Sequence, residues 1–175
     1  FGTQLKWGVY SDYGMNKGEL QDLLMFYSGK EKKNITLKEY VDNMKENQKY
    51  IYFATGDSVE SIDRLPVLEL LKDNDFDILY LTDEVDEFCM QSLMAYNEKE
   101  LRSVLNDDLG LPEENKEETE EEKSQSEGTV NFIKETLGEQ VSDVVVSKKL
   151  KSYPVVLTAK GGVSFEMEKY FAAVQ

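Results

Sequence analysis

Tyr50-Ile51-Tyr52-Phe53-Ala54-Thr55-Gly56 and, further on, Ile78-Leu79-Tyr80-Leu81 are the stretches that decide the fold. Both are short, rich in aromatic and β-branched residues, and apolar at successive positions rather than at alternate ones. A strand with that pattern is covered on both faces, as strands in the middle of a parallel sheet are. Between the two runs, Ser58 is placed to cap a helix, and Pro66 interrupts it before Leu68, Leu70 and Leu71. After the second run, Thr82 or Asp83 caps a further helix bearing Val85, Phe88, Cys89, Leu93 and Tyr96, and a weak strand over 101–104 closes the unit. Strand, helix, strand, helix, strand with short connections predicts a mainly parallel sheet.

Upstream, Asn16-Lys17-Gly18-Glu19 resembles a capping box ahead of a helix with Leu20, Leu23, Leu24 and Tyr27 on one face. Thr36-Leu37-Lys38-Glu39 is a cleaner box, followed by Tyr40, Val41 and Met44 at helical spacing. These two helices are expected to pack on the faces of the sheet. The fold class is therefore α/β: a three-layer α-β-α unit, followed by a partial α+β domain.

Charge divides the chain. Of 175 residues, 35 are acidic and 20 basic, a net charge of −15. Residues 1–105 carry net −8, residues 106–128 another −8, and residues 129–175 net +1. The middle block contains Glu113-Glu114-Asn115-Lys116-Glu117-Glu118-Thr119-Glu120-Glu121-Glu122, with nothing apolar to bury, and reads as a solvated linker or loosely held helix. Beyond it Val130, Ile133 and Leu137 recur at helical spacing, Val144-Val145-Val146 and Val155-Val156-Leu157 read as strands, and a last helix starts near Val163. Phe1 is not an initiator and Gln175 falls within a helical pattern, so an excerpt from a longer protein is expected.

Composition excludes much chemistry. There is no histidine, which removes imidazole bases, imidazole metal ligands and Ser-His or Cys-His pairs. One cysteine, Cys89, forms neither an intrachain disulfide nor a thiolate cluster and suits a reducing cytoplasm. The acidic balance disfavours nucleic acid and anionic membrane surfaces as partners. The longest apolar stretches, of five residues as at 23–27, are far too short to span a membrane.

Three local patterns invite a site and fall short of one. Ala54-Thr55-Gly56-Asp57-Ser58 has a single glycine and an acidic side chain where a phosphate loop needs backbone amides. Asp73-Asn74-Asp75-Phe76-Asp77 begins like a calcium loop but places Ile78 where the sharp turn needs glycine. The carboxylates Asp83, Glu84, Asp86 and Glu87 read as a solvated helix start with favourable dipole interactions, and Cys89 as inert core. Two helices carry more apolar surface than one buried stripe needs. One bears Phe88, Met90, Leu93 and Met94. The other bears Val163, Met167, Tyr170 and Val174, widened by Phe171. Such helices either pack on both sides or keep one face for a partner, and packing is the reading favoured here.

The run Met44-Lys45-Glu46-Asn47-Gln48-Lys49-Tyr50-Ile51-Tyr52-Phe53-Ala54-Thr55-Gly56 closely resembles a signature stretch of the heat-shock protein 90 chaperones, above all their bacterial members. Asp83-Glu84-Val85-Asp86-Glu87-Phe88, Val144-Val145-Val146-Ser147-Lys148-Lys149-Leu150 and Glu166-Met167-Glu168-Lys169 agree in order and spacing. The resemblance implies the later part of a middle domain (1–105), an acidic junction (106–128) and the start of a C-terminal domain (129–175). It implies a dimeric, ATP-driven, cytoplasmic chaperone of partly folded client proteins. ATP and Mg would bind in an N-terminal domain outside this segment, and the dimer would form through helices after it. By itself the segment is then expected to be no enzyme, to hold no cofactor or metal, and to dimerise weakly or not at all. The implied client-binding positions are Glu87, Phe88 and Gln91 on one helix and Val163, Met167 and Tyr170 on the other. Phe88 stands where relatives carry Trp or Tyr, and Val163 where they carry Met or Trp, implying a shallower apolar patch. Two rival readings remain: a small-ligand-binding α/β domain using the 83–87 carboxylates, and a structural spacer between ATPase and dimerisation domains.

Overall fold

The computed structural model describes residues 2–106, 108–111, 120–146, 155–157 and 171–172. Helix α1 (Gly2–Ser11) leads through a short helix α2 (Lys17–Leu20) and a 3-10 turn (Gln21–Leu23) into a hairpin of β1 (Met25–Ser28) and β2 (Lys33–Thr36). Then follow α3 (Leu37–Asp42), β3 (Ile51–Thr55), α4 (Val59–Asp63), α5 (Leu68–Asp73), β4 (Ile78–Leu81) and α6 (Glu84–Leu93). A second hairpin, β5 (Ala95–Tyr96) and β6 (Lys99–Ser103), closes the sheet, and α7 (Glu120–Leu137) lies beyond it.

The six strands run in the order β2-β1-β4-β3-β6-β5. β3 is parallel to β4 and to β6, but three of the five strand pairings are antiparallel, so the mainly parallel sheet expected from the sequence is corrected: only its centre is parallel. Antiparallel hairpins flank it, with β1 against both β2 and β4 and β5 against β6, so the sheet is mixed.

The two apolar runs supply both faces at once, because successive strand residues point to opposite sides. Ile51, Phe53, Leu79 and Leu81 belong to one core with Val9 of α1, Leu37 and Tyr40 of α3, and Cys89, Met90 and Leu93 of α6. Tyr52, Ala54, Ile78 and Tyr80 belong to a second core with Ile62 of α4 and Leu68 and Leu71 of α5. Helices on each side of one sheet make the three layers.

Local signals account for several element ends. Thr36 Oγ1 accepts from the Glu39 amide at 3.2 Å while Glu39 Oε2 accepts from the Thr36 amide at 2.8 Å, the predicted reciprocal cap of α3. Ser58 and Ser61 exchange the same pair of bonds at the start of α4, and Pro66 falls in the break before α5. The expected turn before β4 is built by Asp77. Its Oδ1 accepts from the amides of Ile78 and Lys30, and its Oδ2 from Ser28 Oγ at 2.6 Å. Asp75 in the same turn is held at 2.6 Å by each of Lys30 and Lys45, so these carboxylates serve the turn.

Several expectations need correction, among them Tyr96, which falls in strand β5 rather than on α6. The helix expected over residues 20–27 stops at Leu23, and Met25–Ser28 is a strand. Spacings of three and four favour a helix, but ladder bonds to two neighbouring strands override that local pattern and make β1. Asn16 makes no side-chain cap; its amide group donates instead to Asp12 Oδ2 at 2.9 Å. Helix α1 has no counterpart among the expectations. Residues 144–146 and 155–157 form no strand, and no ladder partner faces them among the described residues. Within 106–128, Leu109 is buried in the second core, and Glu120–Leu137 forms helix α7, the helical alternative of the two readings of the acidic block.

Candidate functional site

Helix α6 carries the candidates Glu87, Phe88 and Gln91, and its surroundings are not those of a solvated helix. Val85, Asp86, Glu87, Phe88, Cys89, Met90 and Leu93 are all buried, because the helix packs against β4 and against α1 in the first core. The reading of residues 83–87 as a water-exposed acidic start is therefore overturned for Asp86 and Glu87. The double apolar face of the helix is used for packing, which leaves Gln91 and Met94 at the surface.

Asp86 is met by Lys6 of α1, whose Nζ lies 2.5 Å from Asp86 Oδ1 and 3.8 Å from Asp83 Oδ2. Asp86 Oδ2 accepts from the Asp83 amide at 3.3 Å, which ties the carboxylate into the first turn of its own helix. The Lys6 ammonium also sits 4.6 Å from the centre of the Phe26 ring, a cation–π contact inside the core. Burial pushes the Asp86 carboxyl above its ordinary pKa, and the charge of Lys6 opposes that shift. Burial likewise pushes the Cys89 thiol up to about 12, so it is an inert core side chain as expected.

Phe88 is 5 % exposed, and its ring is framed by other aromatics. Tyr10 lies 5.1 Å away at 45°, Trp7 stands 5.8 Å from Tyr10, and Phe171 meets Phe88 edge-on at 6.1 Å and 80°. Sequence reasoning missed Trp7 and Tyr10. Their spacing of three on a helix was the available signal, but without a capping residue nothing marked residues 2–11 as helical. Glu87 is buried beside Phe88, while Gln91 is exposed one turn on. Val163, Met167 and Tyr170 lie outside the described residues.

The C-terminal end of α6 meets the 12–16 loop. Lys17 Nζ donates to the Leu93 carbonyl at 3.2 Å, placing a cation at the negative end of the helix. Gly14, at φ +73°, comes so close that a Cβ there would lie 3.1 Å from the Ser92 carbonyl oxygen. Asp12 holds the loop by accepting from the amides of Gly14 and Asn16. This junction presents Tyr13, Met15 and Met94 to water, 90 %, 80 % and 68 % exposed. Tyr13 and Met94 adopt positive φ, a backbone state in which bulky residues are rare.

A polar cleft lined by Lys30, Asn43, Lys45, Asp75 and Asp77 lies where the chain enters β4. That is the N-terminal end of the parallel strands, opposite the end where α/β folds place ligands, and it does not support the small-ligand reading. Among the described residues, no group of three or more Cys, Asp or Glu is arranged to hold a metal, and no helix is long and apolar enough to cross a membrane.

The family model described as Hsp90 protein matches residues 1–175. The chain is 57% identical over 174 residues to the chaperone protein HtpG of Oceanobacillus iheyensis, covering 99% of this chain and 28% of that protein. It is 49% identical over 175 residues to HtpG of Bacillus subtilis, with the same coverage. The solved middle domain of a Plasmodium falciparum heat shock protein superposes with a TM-score of 0.54 at 38% identity, covering 57% of this chain and 42% of that one. The chain thus spans about 28% of the length of the curated relatives it matches. Fold, family match and relatives agree: the chain belongs to the Hsp90 protein family.

Proposed function

We propose that this chain is the client-contacting and force-relaying segment of an ATP-dependent chaperone, with the contact centred on α6 and its junction with the 12–16 loop. The observation that carries the reading is the set of Tyr13, Met15 and Met94. These large apolar side chains stand in water on one junction, two of them at positive φ, where folding gains nothing from them. Methionine and tyrosine suit contact with varied partners because they repack or lie flat at little cost. The helix beneath is fixed by burial around most of its circumference, so the patch sits on a rigid base. The same rigidity, through the α1–α6 contact, suits transmission of motion.

In the parent protein the resemblance assigns ATP and Mg to an N-terminal domain, dimerisation to helices beyond this segment, and a cytoplasmic setting. Val163, Met167 and Tyr170 remain proposed contacts beside Glu87, Phe88 and Gln91, with 106–128 the junction between domains. Net charge −15 favours basic client segments and makes binding sensitive to salt.

The test is fluorescence anisotropy of a labelled, permanently unfolded polypeptide titrated with the chain, beside a Met15→Asp, Met94→Asp variant. Both side chains are exposed, so the variant should stay folded by circular dichroism. Weaker binding by the variant supports the reading. Unchanged binding removes the junction from the contact surface, and absence of binding by the folded wild type favours the spacer.

A further inference from the structure

Phe88 occupies a peculiar position for a residue of a client surface. Its ring is almost wholly covered, yet part of the cover comes from a side chain that is itself half in water. Phe171 meets Phe88 edge to face at 6.1 Å and remains 46 % exposed. A core phenylalanine of this protein looks different: Phe26, Phe53 and Phe76 are 2 %, 7 % and 4 % exposed. Phe171 is therefore far less covered than the phenylalanines of the two cores. Beneath it, Trp7, Tyr10 and Phe88 form a continuous aromatic shelf on α1 and α6, with neighbouring centroids 5.8 Å and 5.1 Å apart.

We propose that this shelf is a receptor for a single aromatic side chain, that Phe171 is its resident occupant, and that an aromatic residue of a client segment displaces it. The inference rests on the client-binding reading above and specifies which client feature is recognised. The chemistry is that of an edge-on ring pair. The electron-rich face of one ring takes the positive edge of another, a geometry that aliphatic side chains cannot supply. An intramolecular occupant raises the apparent dissociation constant for any competitor, because the competent shelf is only part of the population. It also keeps the shelf from standing open as an apolar patch when no client is present.

Two readings compete with this one. If Phe171 contacts clients itself, with Phe88 only its support, removing its ring weakens binding. If Phe171 is an ordinary packing contact, removing it leaves binding unchanged.

The experiment uses the 175-residue chain and two short labelled peptides of Gly, Ser and Lys, one carrying a central Phe and the other Ala in its place. Phe171→Ala should keep its circular dichroism spectrum, since the side chain lies on the surface. It should bind the Phe peptide roughly two- to tenfold more tightly than wild type does, the range expected for release of one aromatic pair. Affinity for the Ala peptide should not change. In the wild-type chain, an NMR cross-peak between the Phe88 and Phe171 rings should fade on saturation with the Phe peptide. Weaker or unchanged binding of the Phe peptide by Phe171→Ala overturns the proposal. So does a ring cross-peak that persists at saturation. If neither peptide binds either chain, client contact at this surface fails and the competition with it, while the ring cross-peak would still register Phe171 in its seat.

Discussion

Lys6 Nζ lies 2.5 Å from Asp86 Oδ1, and their side chains are only 8 % and 4 % exposed. One residue comes from the first helix of the chain and the other from the helix that carries the client-binding candidates. The pair is the polar part of an otherwise apolar seam. Removing two charges from water costs about as much as their attraction returns, so the pair itself adds little stability, whereas half of it is a liability. Lys6→Met should destabilise the chain by about 3–5 kcal/mol by leaving Asp86 buried and uncompensated. Lys6→Met with Asp86→Leu should return close to wild-type stability. Urea unfolding of the two singles and the double closes the cycle, and additive losses would refute the account.

Tyr40 joins three parts of the unit through one hydroxyl. It donates to the Asp77 carbonyl at 2.5 Å and accepts from the Tyr52 amide at 3.1 Å and from Gln48 Nε2 at 2.9 Å. Tyr40→Phe keeps the ring and removes all three bonds. Stability should fall by about 1–3 kcal/mol, the cost of buried polar groups left without partners. Urea unfolding would measure it, and the denaturant slope should not change, since the folded state stays as compact.

Asp63 accepts from Tyr80 Oη at 2.6 Å and pairs with Lys72 at 3.0 Å. The tyrosine bond first, then the lysine, holds its carboxyl down to about 2. A depressed carboxyl stabilises the fold above its unfolded-state pKa, and that contribution is lost as pH falls through the folded value. Asp75, held down to about 2 by Lys30 and Lys45, has the same sign. Asp86, pushed up by burial, has the opposite sign: its contribution declines as pH rises through its raised pKa. Stability should therefore drop between about pH 4 and pH 2. Asp63→Asn should flatten that acid limb, as followed by urea midpoints across the range.

Cys89 is fully buried against the first core, and burial raises its thiol to about 12. It should be untouched by a thiol reagent at pH 8 in the native chain and should react fully in denaturant. Fast labelling under native conditions would show that α6 opens away from α1 more readily than its packing implies.

The alternative to a solvated acidic helix was written in residues that no local rule connects. Lys6 and Asp86 lie in distant parts of the chain, and each alone looks like a surface charge. Only the packing of α1 against α6 makes them a buried pair. Phe88 is similar: its apolar character was legible, but its cover by Tyr10 and Phe171 comes from both ends of the chain. Met25–Ser28 shows the limit at short range, since its helical spacing is overridden by the ladder bonds that β2 and β4 offer.

The sequence alone determined the parallel centre of the sheet and the caps of the helices beside it at Thr36 and Ser58. Apolar runs covered on both faces and reciprocal side-chain bonds are local facts, encoded within a few residues. The family was legible for the same reason, in the unbroken run from Met44 to Gly56. Tertiary structure alone decided the antiparallel edges, the burial of Asp86 and Glu87, and the aromatic shelf around Phe88. Each depends on which distant surface arrives to exclude water, and that is a property of the packed chain.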